Sequence, residues 1–504
     1  MRKLLTAFMA IIIGFGVASS ASANDGDLDT TWGGTGLVDF VSGAQASASA
    51  VSAYDQNKVV VAGVFGAGSN SIESSFLVRY NDDGTLDTTC AGTGVVTYRG
   101  PSDFLALDMK VLSDGSVVLA GHDTASAPMG MLVKFDASCQ LDVSFGVGGI
   151  VTYTERDGVN FESVALGPNG TIVVGGRVYF AQVDGGDSRP LVLRLNAGGS
   201  LDTTFGDSGS GRWVASANHE GYIADLLVKS DASIVFTGVQ FDATENQMVG
   251  QLTSVGTLDS SFATAGWFVH EAPNAERSRA IAARPFGGYV AVSIDFPEFG
   301  TSLTNLEGAV LCLTNSGQAD PTCAGGGRSG FSIDAGDDGF WDVDVDDQDR
   351  FVISGFAQRA ASSFSNPEPF VVRLLPTAVL DESFGASGFA LVPVSNGYLT
   401  DLTRDVRGRI LSAGLTYIPG GGYATVIRLD SANAPTTTVA PSPTTIAPSS
   451  LPATGGSGSQ TSLVAVLSIL IGLTFIFVKR MSNMTYGFGG WDVIRRAKGP
   501  TQQG

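Results

Sequence analysis

The sequence predicts an all-β fold: a seven-bladed β-propeller of four-stranded blades, followed by a disordered stalk and one C-terminal transmembrane helix. Three observations carry the propeller. A nine-residue phrase recurs seven times, as LDTTWGGTG from Leu28, LDTTCAGTG from Leu86, LDVSFGVGG from Leu141, LDTTFGDSG from Leu201, LDSSFATAG from Leu258, ADPTCAGGG from Ala319 and LDESFGASG from Leu380. The intervals are 58, 55, 60, 57, 61 and 61 residues, a period regular enough to mark one structural unit copied along the chain. Each interval holds four short β-branched or aromatic runs bounded by Gly, Asp and Asn. Four antiparallel strands in about 40–60 residues make a propeller blade, and a ring takes about 4–8 of them. A β-solenoid is the alternative, but its coils are much shorter than this period.

The first residues have the order of an export signal. Arg2 and Lys3 precede an apolar run from Leu4 to Val17, and Ala21-Ser22-Ala23 supplies a small-residue cleavage pattern, so residues 1–23 are a leader and Asn24 starts the mature chain. An uncleaved helix is the other reading, but the run is short for a membrane span.

Residues 24–430 hold the repeats. After the phrase comes a strand such as Leu37 to Phe40, Val95 to Tyr98 or Ile150 to Tyr153, and after a variable loop a second, such as Leu105 to Val111, Ile223 to Val228 or Trp341 to Val345. An apolar run ending in a small residue follows: VVVAG at 59–63, VVLAG at 117–121, IVVGG at 172–176, IVFTG at 234–238, YVAVS at 289–293, FVISG at 351–355 and ILSAG at 410–414. A last strand closes the unit, as in LVRY at 77–80 or IRL at 427–429. The variable loops, such as 44–50, 124–129 and 358–368, are where a rigid frame would carry its contacts.

The phrase aspartates at 29, 87, 142, 202, 259, 320 and 381 suit a turn, since Asp accepts hydrogen bonds from amides one or two residues on. Trp32, Phe145, Phe205, Phe262 and Phe384 would then wedge between sheets, with the following glycines at positive φ. A hard cation needs six or more oxygens, so one carboxylate per phrase is a poor metal site. The candidate for a cation is the acidic stretch of the sixth unit, where Asp342, Asp344 and Asp346 alternate along a predicted strand and share a face; a solvated strand edge is the plainer explanation. No cofactor is implied, and Ca2+ is the cation this stretch would suit.

Four cysteines, Cys90, Cys139, Cys312 and Cys323, lie in the exported part, where disulfides form more readily than zinc sites and no CxxC is present. Three pairings are possible; closeness in sequence favours Cys312 with Cys323 and Cys90 with Cys139. His122, His219 and His270 fall in three different units without a recurring partner, so neither a nucleophilic triad nor a histidine metal site is supported, and no catalytic residue is assigned.

After Asp430 the composition shifts to Pro, Thr and Ser. Residues 431–450 make an extended stalk, and Leu451-Pro452-Ala453-Thr454-Gly455 follows, then an apolar segment at 463–478 and a basic tail at 479–504 opening on Lys479-Arg480. The formal charge is −20; without the two positive charges of the leader and the net four after Thr454, residues 24–454 carry −26. So acidic a surface argues against nucleic acid or anionic lipid as a partner.

The order of stalk, LPATG, apolar segment and basic stop resembles the LPXTG cell-wall sorting signal of Gram-positive surface proteins. That resemblance implies cleavage between Thr454 and Gly455 by a sortase and attachment to peptidoglycan. A single-pass membrane anchor is the alternative, and 24 residues follow Arg480 where sorting signals end sooner. Both readings place the propeller outside the cell and the basic tail inside. The phrase with its flanking strands resembles the delta-60 repeat family, whose signature is LDxxFGxxG at a similar period; the resemblance covers residues 28 to about 430 and brings no catalytic residues with it. The expected function is a cell-surface binding, adhesion or structural module with an unknown extracellular ligand. An extracellular glycan-directed hydrolase using carboxylates in the channel is the alternative.

Overall fold

The computed structural model describes residues 25–431, apart from 41–44, 56–57, 68–70, 101–102, 181–186, 243, 273, 297–305, 334–335, 359–366, 395 and 419–420. The leader, the stalk, the LPATG motif, the 463–478 segment and the tail lie outside the described residues. Among the described residues, no helix is long and apolar enough to cross a membrane.

The strands assort into seven antiparallel sheets of four, the blades of a propeller. The inner strands of blades 1 to 7 are Ala46–Tyr54, Phe104–Val111, Val159–Leu166, Gly221–Val228, Ala275–Ala283, Asp338–Val345 and Gly397–Arg404. In blade 1 the chain then runs outward through Lys58–Ala67 and Ser71–Tyr80 to Val95–Tyr98. The segment 44–50, expected as a loop, is inner strand from Ala46 onward. Because neighbours are antiparallel, the turn after each inner strand and the phrase before each outer strand fall at one end of the ring. The variable loops fall at the other.

Repeat and blade are out of phase by one strand. The strand after each phrase belongs to the blade before it, so Leu37–Phe40 pairs with Gly421–Leu429 and completes blade 7, in register from Leu37 with Ile427 to Phe40 with Ala424. The closure extends into the turn, where Gly26 donates its amide to Asp430 O at 2.9 Å and Asp430 donates to Asp27 O at 2.8 Å. Pairing the first strand with the last leaves no blade short of an edge strand and closes the ring with backbone hydrogen bonds.

Sheet faces are covered by neighbouring blades on both sides. The second strands are therefore apolar throughout instead of alternating: Val59, Val60, Val61 and Ala62 are all 2% exposed or less. The phrase aromatics Trp32, Phe145, Phe205, Phe262 and Phe384 are fully buried, each burial contributing roughly 1.5–3 kcal/mol. The four phenylalanines each cover a turn of the next blade, where only a glycine fits: a Cβ on Gly256 would stand 2.7 Å from Phe205, and one on Gly317 2.6 Å from Phe262. At the second phrase Cys90 replaces the aromatic and Cys139 holds the corresponding turn position, and the two are bonded, so a disulfide clips blade 1 to blade 2 where elsewhere a ring sits over a glycine. The second disulfide, Cys312 to Cys323, lies within blade 5.

The phrase aspartates make the same turn bonds in every copy. One oxygen accepts from the amide and hydroxyl two residues on, as Asp87 does from Thr89 at 3.1 and 2.6 Å. The other meets a polar side chain of the blade's own third strand: Arg79 for Asp87 (2.8 Å), Lys134 for Asp142 (2.9 Å), Arg194 for Asp202 (2.8 Å), Gln251 for Asp259 (2.6 Å), Arg373 for Asp381 (2.8 Å) and Arg428 for Asp29 (2.7 Å). In blade 5 Cys312 stands at the partner's place, and Arg284 serves Asp320 instead at 2.8 Å.

Candidate binding channel

Every inner strand carries a β-bulge at the same place. Its extra residue is Ser49, Leu107, Glu162, Ala224, Arg279, Trp341 or Thr400 in blades 1 to 7. The bulge swings a carbonyl over the second strand, and the small residue ending each apolar run makes room for it. A Cβ on Gly121 would stand 1.8 Å from Leu105 O, and one on Gly176 2.0 Å from Asn160 O. All seven bulge residues line a cavity of about 570 Å³ in the middle of the ring, which reaches the phrase-end turns of blades 6 and 7 at Asp347 and Val406. The bulge repeats, but its side chain differs from blade to blade.

The residue after each bulge forms a second ring: Ala50, Asp108, Ser163, Asp225, Ala280, Asp342 and Asp401. Each aspartate here accepts an edge amide of the following blade, Asp108 from Val164 at 2.7 Å, Asp225 from Ile281 at 2.9 Å, Asp342 from Leu402 at 2.7 Å and Asp401 from Val51 at 2.5 Å. Ser163 Oγ sits between two of them, 2.8 Å from Asp225 and 3.2 Å from Asp108. Lys110 Nζ lies 3.0 Å from Asp108.

Crowding like charges in a poorly solvated ring favours the protonated acid. Burial, then the neighbouring Asp108 charge, pushes Asp225 up. Burial and the hydrogen-bonded Asp401 carboxyl push Asp342 well above the ordinary carboxylate range, and burial takes Asp401 to about 6. The pair therefore favours both protons at mildly acidic pH and holds one between the two carboxyls once the step at about 6 is passed. Burial would pull Lys110 down, but the Asp108, Asp401 and Asp225 charges hold its ammonium above its ordinary value.

At blades 5 to 7 the bulge ring carries a stack. The Arg279 guanidinium lies 4.1 Å from the Trp341 ring centroid, and Trp341 stacks on Tyr398 at 5.9 Å and 22°. Arg279 Nε and Trp341 Nε1 are buried without a hydrogen-bond partner. Across the channel Glu162 pairs with Arg177 at 3.3 Å.

The three carboxylates considered for a cation are spent separately. Asp342 binds the Leu402 amide, Asp344 pairs with Arg404 at 2.7 Å, and Asp346 pairs with Arg350 at 2.6 Å while capping its own turn. Elsewhere in the acidic stretch, Asp337 accepts the Leu306 amide and Asp349 pairs with Arg284, while Asp334 lies outside the described residues. Among the described residues, no three His, Cys, Asp or Glu side chains are grouped to hold a metal. The histidines stay apart: His122 meets Asp123 O, His219 stacks on Trp267, and His270 meets Glu276 at 2.8 Å. Leu451, Pro452, Ala453, Thr454 and Gly455 lie outside the described residues.

Sequence reasoning singled out Asp342 for another purpose and missed Asp108, Lys110, Glu162, Asp225, Arg279 and Asp401 as a set. A signal for them was present: six of the seven apolar runs end in glycine, which in a strand marks a close backbone approach and hence a bulge opposite it.

A family model described as a domain of unknown function, DUF5122, beta-propeller, matches residues 57–89 and 167–205. Both stretches run from a second strand through the third to the phrase. No curated protein matches the chain. Among solved structures, a protein of unknown function from Dyadobacter fermentans is similar at 10% identity and a TM-score of 0.39, over 78% of this chain and 99% of its own. An α-L-arabinanase of Penicillium chrysogenum complexed with arabinobiose aligns at 11% identity and 0.39, over 78% and 94%. The GH93 α-L-arabinofuranosidase of Fusarium graminearum, also with arabinobiose, aligns at 15% identity and 0.37, over 66% and 94%.

Proposed function

We propose that this chain is an extracellular, surface-displayed binding module whose ligand site is the propeller channel. The observation that carries it is the bulge ring: a backbone feature copied seven times presents seven side chains that have diverged, and all face one cavity. The phrase aspartates, by contrast, are the same residue making the same turn bond in every copy. Divergence gathered on one cavity is what recognition needs, because the scaffold is already supplied. The leader at 1–23, the stalk and the LPATG motif support display at the cell wall, with sortase and peptidoglycan as partners.

The carboxyl pair Asp342 and Asp401 is what favours a hydrolase. A glycosidase carboxylate must be free to meet the glycosidic oxygen, the anomeric carbon or a water, whereas each of these two is held by a neighbouring blade's amide. Both are occupied in joining blades, and binding is the better reading.

Two experiments test it. Ala224→Trp places a large ring in the channel from blade 4; a ligand found by glycan array should lose binding to this variant while the melting temperature holds. Binding unchanged by the plug would remove the channel as the site. For display, intact mass of the wall-released protein should end at Thr454 carrying a peptidoglycan fragment; a membrane-bound chain that keeps Gly504 would sink the sortase reading.

A further inference from the structure

Arg279 is the channel cation that the fold leaves unmatched. It has no ion pair or hydrogen bond among the described residues, and its Nε is buried. Two nearby guanidiniums are matched, Arg177 by Glu162 at 3.3 Å and Arg277 by Glu245 at 2.5 Å. Tyr222 lies within reach of all three positive charges, so they share one corner of the molecule. A half-buried guanidinium with no anionic partner, whose terminal nitrogens are open, invites an anion.

The geometry narrows the anion. The Arg279 guanidinium lies over the Trp341 ring at 4.1 Å, and that ring is itself backed by Tyr398, which limits where the fork can sit. The two terminal nitrogens of the guanidinium are not among the buried atoms, so they are the donors open to a ligand. A planar fork matches the two oxygens of a carboxylate. The rest of the cavity wall offers hydroxyls and carboxyls from Ser49, Ser163, Thr400, Asp342 and Asp401, partners for a ring bearing several hydroxyl groups. The carboxyl ring does not repel such a ligand with its full formal charge, since Lys110 offsets one carboxylate and Asp342 and Asp401 share a proton.

Resting on the channel as the ligand site, we propose that it takes a carboxylate-bearing sugar, a hexuronate unit, with the carboxylate on the Arg279 fork and the ring hydroxyls on the carboxyl wall.

The test is titration of the purified full-length chain with D-galacturonate and D-glucuronate, the neutral sugars D-galactose and D-glucose, acetate and an acetylated dipeptide, followed by saturation-transfer NMR and calorimetry. A uronate should bind about tenfold or more tightly than its neutral counterpart, and Arg279→Met should erase that preference, with Arg279→Lys restoring part of it. Thermal melting of both variants shows whether they are folded. Equal binding of neutral sugars overturns the carboxylate contact while leaving the channel reading intact. Acetate or the dipeptide matching the uronates overturns the sugar. Uronate binding that Arg279→Met leaves unchanged, in a variant that melts normally, overturns the placement, and insensitivity to Ala224→Trp as well removes the channel reading with it. Failure of every probe to bind overturns the ligand class.

Discussion

At the phrase end of the ring, Asp29, Asp87, Asp142, Asp202, Asp259, Asp320 and Asp381 each meet a hydroxyl two residues on and a cation or amide. In the channel, Asp108, Asp225, Asp342 and Asp401 meet one another around Lys110. The two environments drive the same side chain in opposite directions. Burial would raise Asp29, Asp87, Asp202, Asp320 and Asp381, but the hydrogen bonds and the positive partner more than offset it, and Asp87 falls to about 2. For Asp142 and Asp259 the serine hydroxyl is the largest influence, and they too are lowered. In the channel burial prevails, and Asp225, Asp342 and Asp401 rise. Where each carboxylate has its own donors the fold gains from ionisation; where carboxylates share donors it loses. The first set holds blades together, and the second surrounds a site.

The largest effect should come from breaking a phrase pair at the ring closure. Arg428 bonds Asp29, Thr31 and the Asp82 carbonyl and lies over Trp32, joining the last strand to the first turn. Arg428→Ala should cost about 3–5 kcal/mol, because it removes all these buried bonds at once and leaves Asp29 with only Thr31 and a 3.4 Å contact to Arg409, and should move the urea midpoint accordingly. An unchanged midpoint would mean that the closure rests on backbone pairing alone.

The disulfides sharpen the comparison between contacts across blades and contacts within one. Replacing Cys90 and Cys139 by Ser should cost about 2–4 kcal/mol, more than the same change at Cys312 and Cys323, since the closed loops span 49 and 11 residues. Denaturant melts of the two double variants check the order.

The pH dependence follows from the two sets with opposite signs. Phrase carboxyls are lowered by folding, so their stabilisation is full above the ordinary carboxylate value of about 4 and is lost as pH falls toward 2. Asp225, Asp342 and Asp401 are raised, so the folded state keeps protons that the unfolded state has released, and stability falls as pH rises from about 4 through about 6. The melting temperature should peak between those limits. Asp342→Asn keeps an acceptor for the Leu402 amide and a donor toward Asp401; it should flatten the decline above pH 5, a gain on the order of 1–2 kcal/mol at pH 8. A decline as steep as in the parent would show that these carboxyls do not share a proton.

The smallest expected effect is from Ca2+. Asp342, Asp344 and Asp346 are engaged with Leu402, Arg404 and Arg350, so excess Ca2+ should leave the melting temperature where it is. A rise of several degrees would mean that these bonds exchange for a cation.

Much of the scaffold was legible in the chain. Seven phrases at a steady period count the blades, and the Asp-x-Thr/Ser turn is local chemistry: the bond from Asp87 to Thr89 closes within three residues. The aromatic at the fifth position announces a wedge by its size. The phase of the repeat was not legible, because whether Leu37–Phe40 pairs with the blade before it or the blade after it depends on hydrogen bonds to Gly421–Leu429, almost the whole domain away. The channel was hidden for a similar reason. Asp108, Asp225, Asp342 and Asp401 lie more than fifty residues apart along the chain, and only ring closure makes them neighbours whose charges compete. A repeat records what each blade needs for itself, so turns, wedges and strands are written in every copy. What forms on the axis belongs to no single copy, and the meeting of Arg279 with Trp341 was decided by the tertiary structure alone.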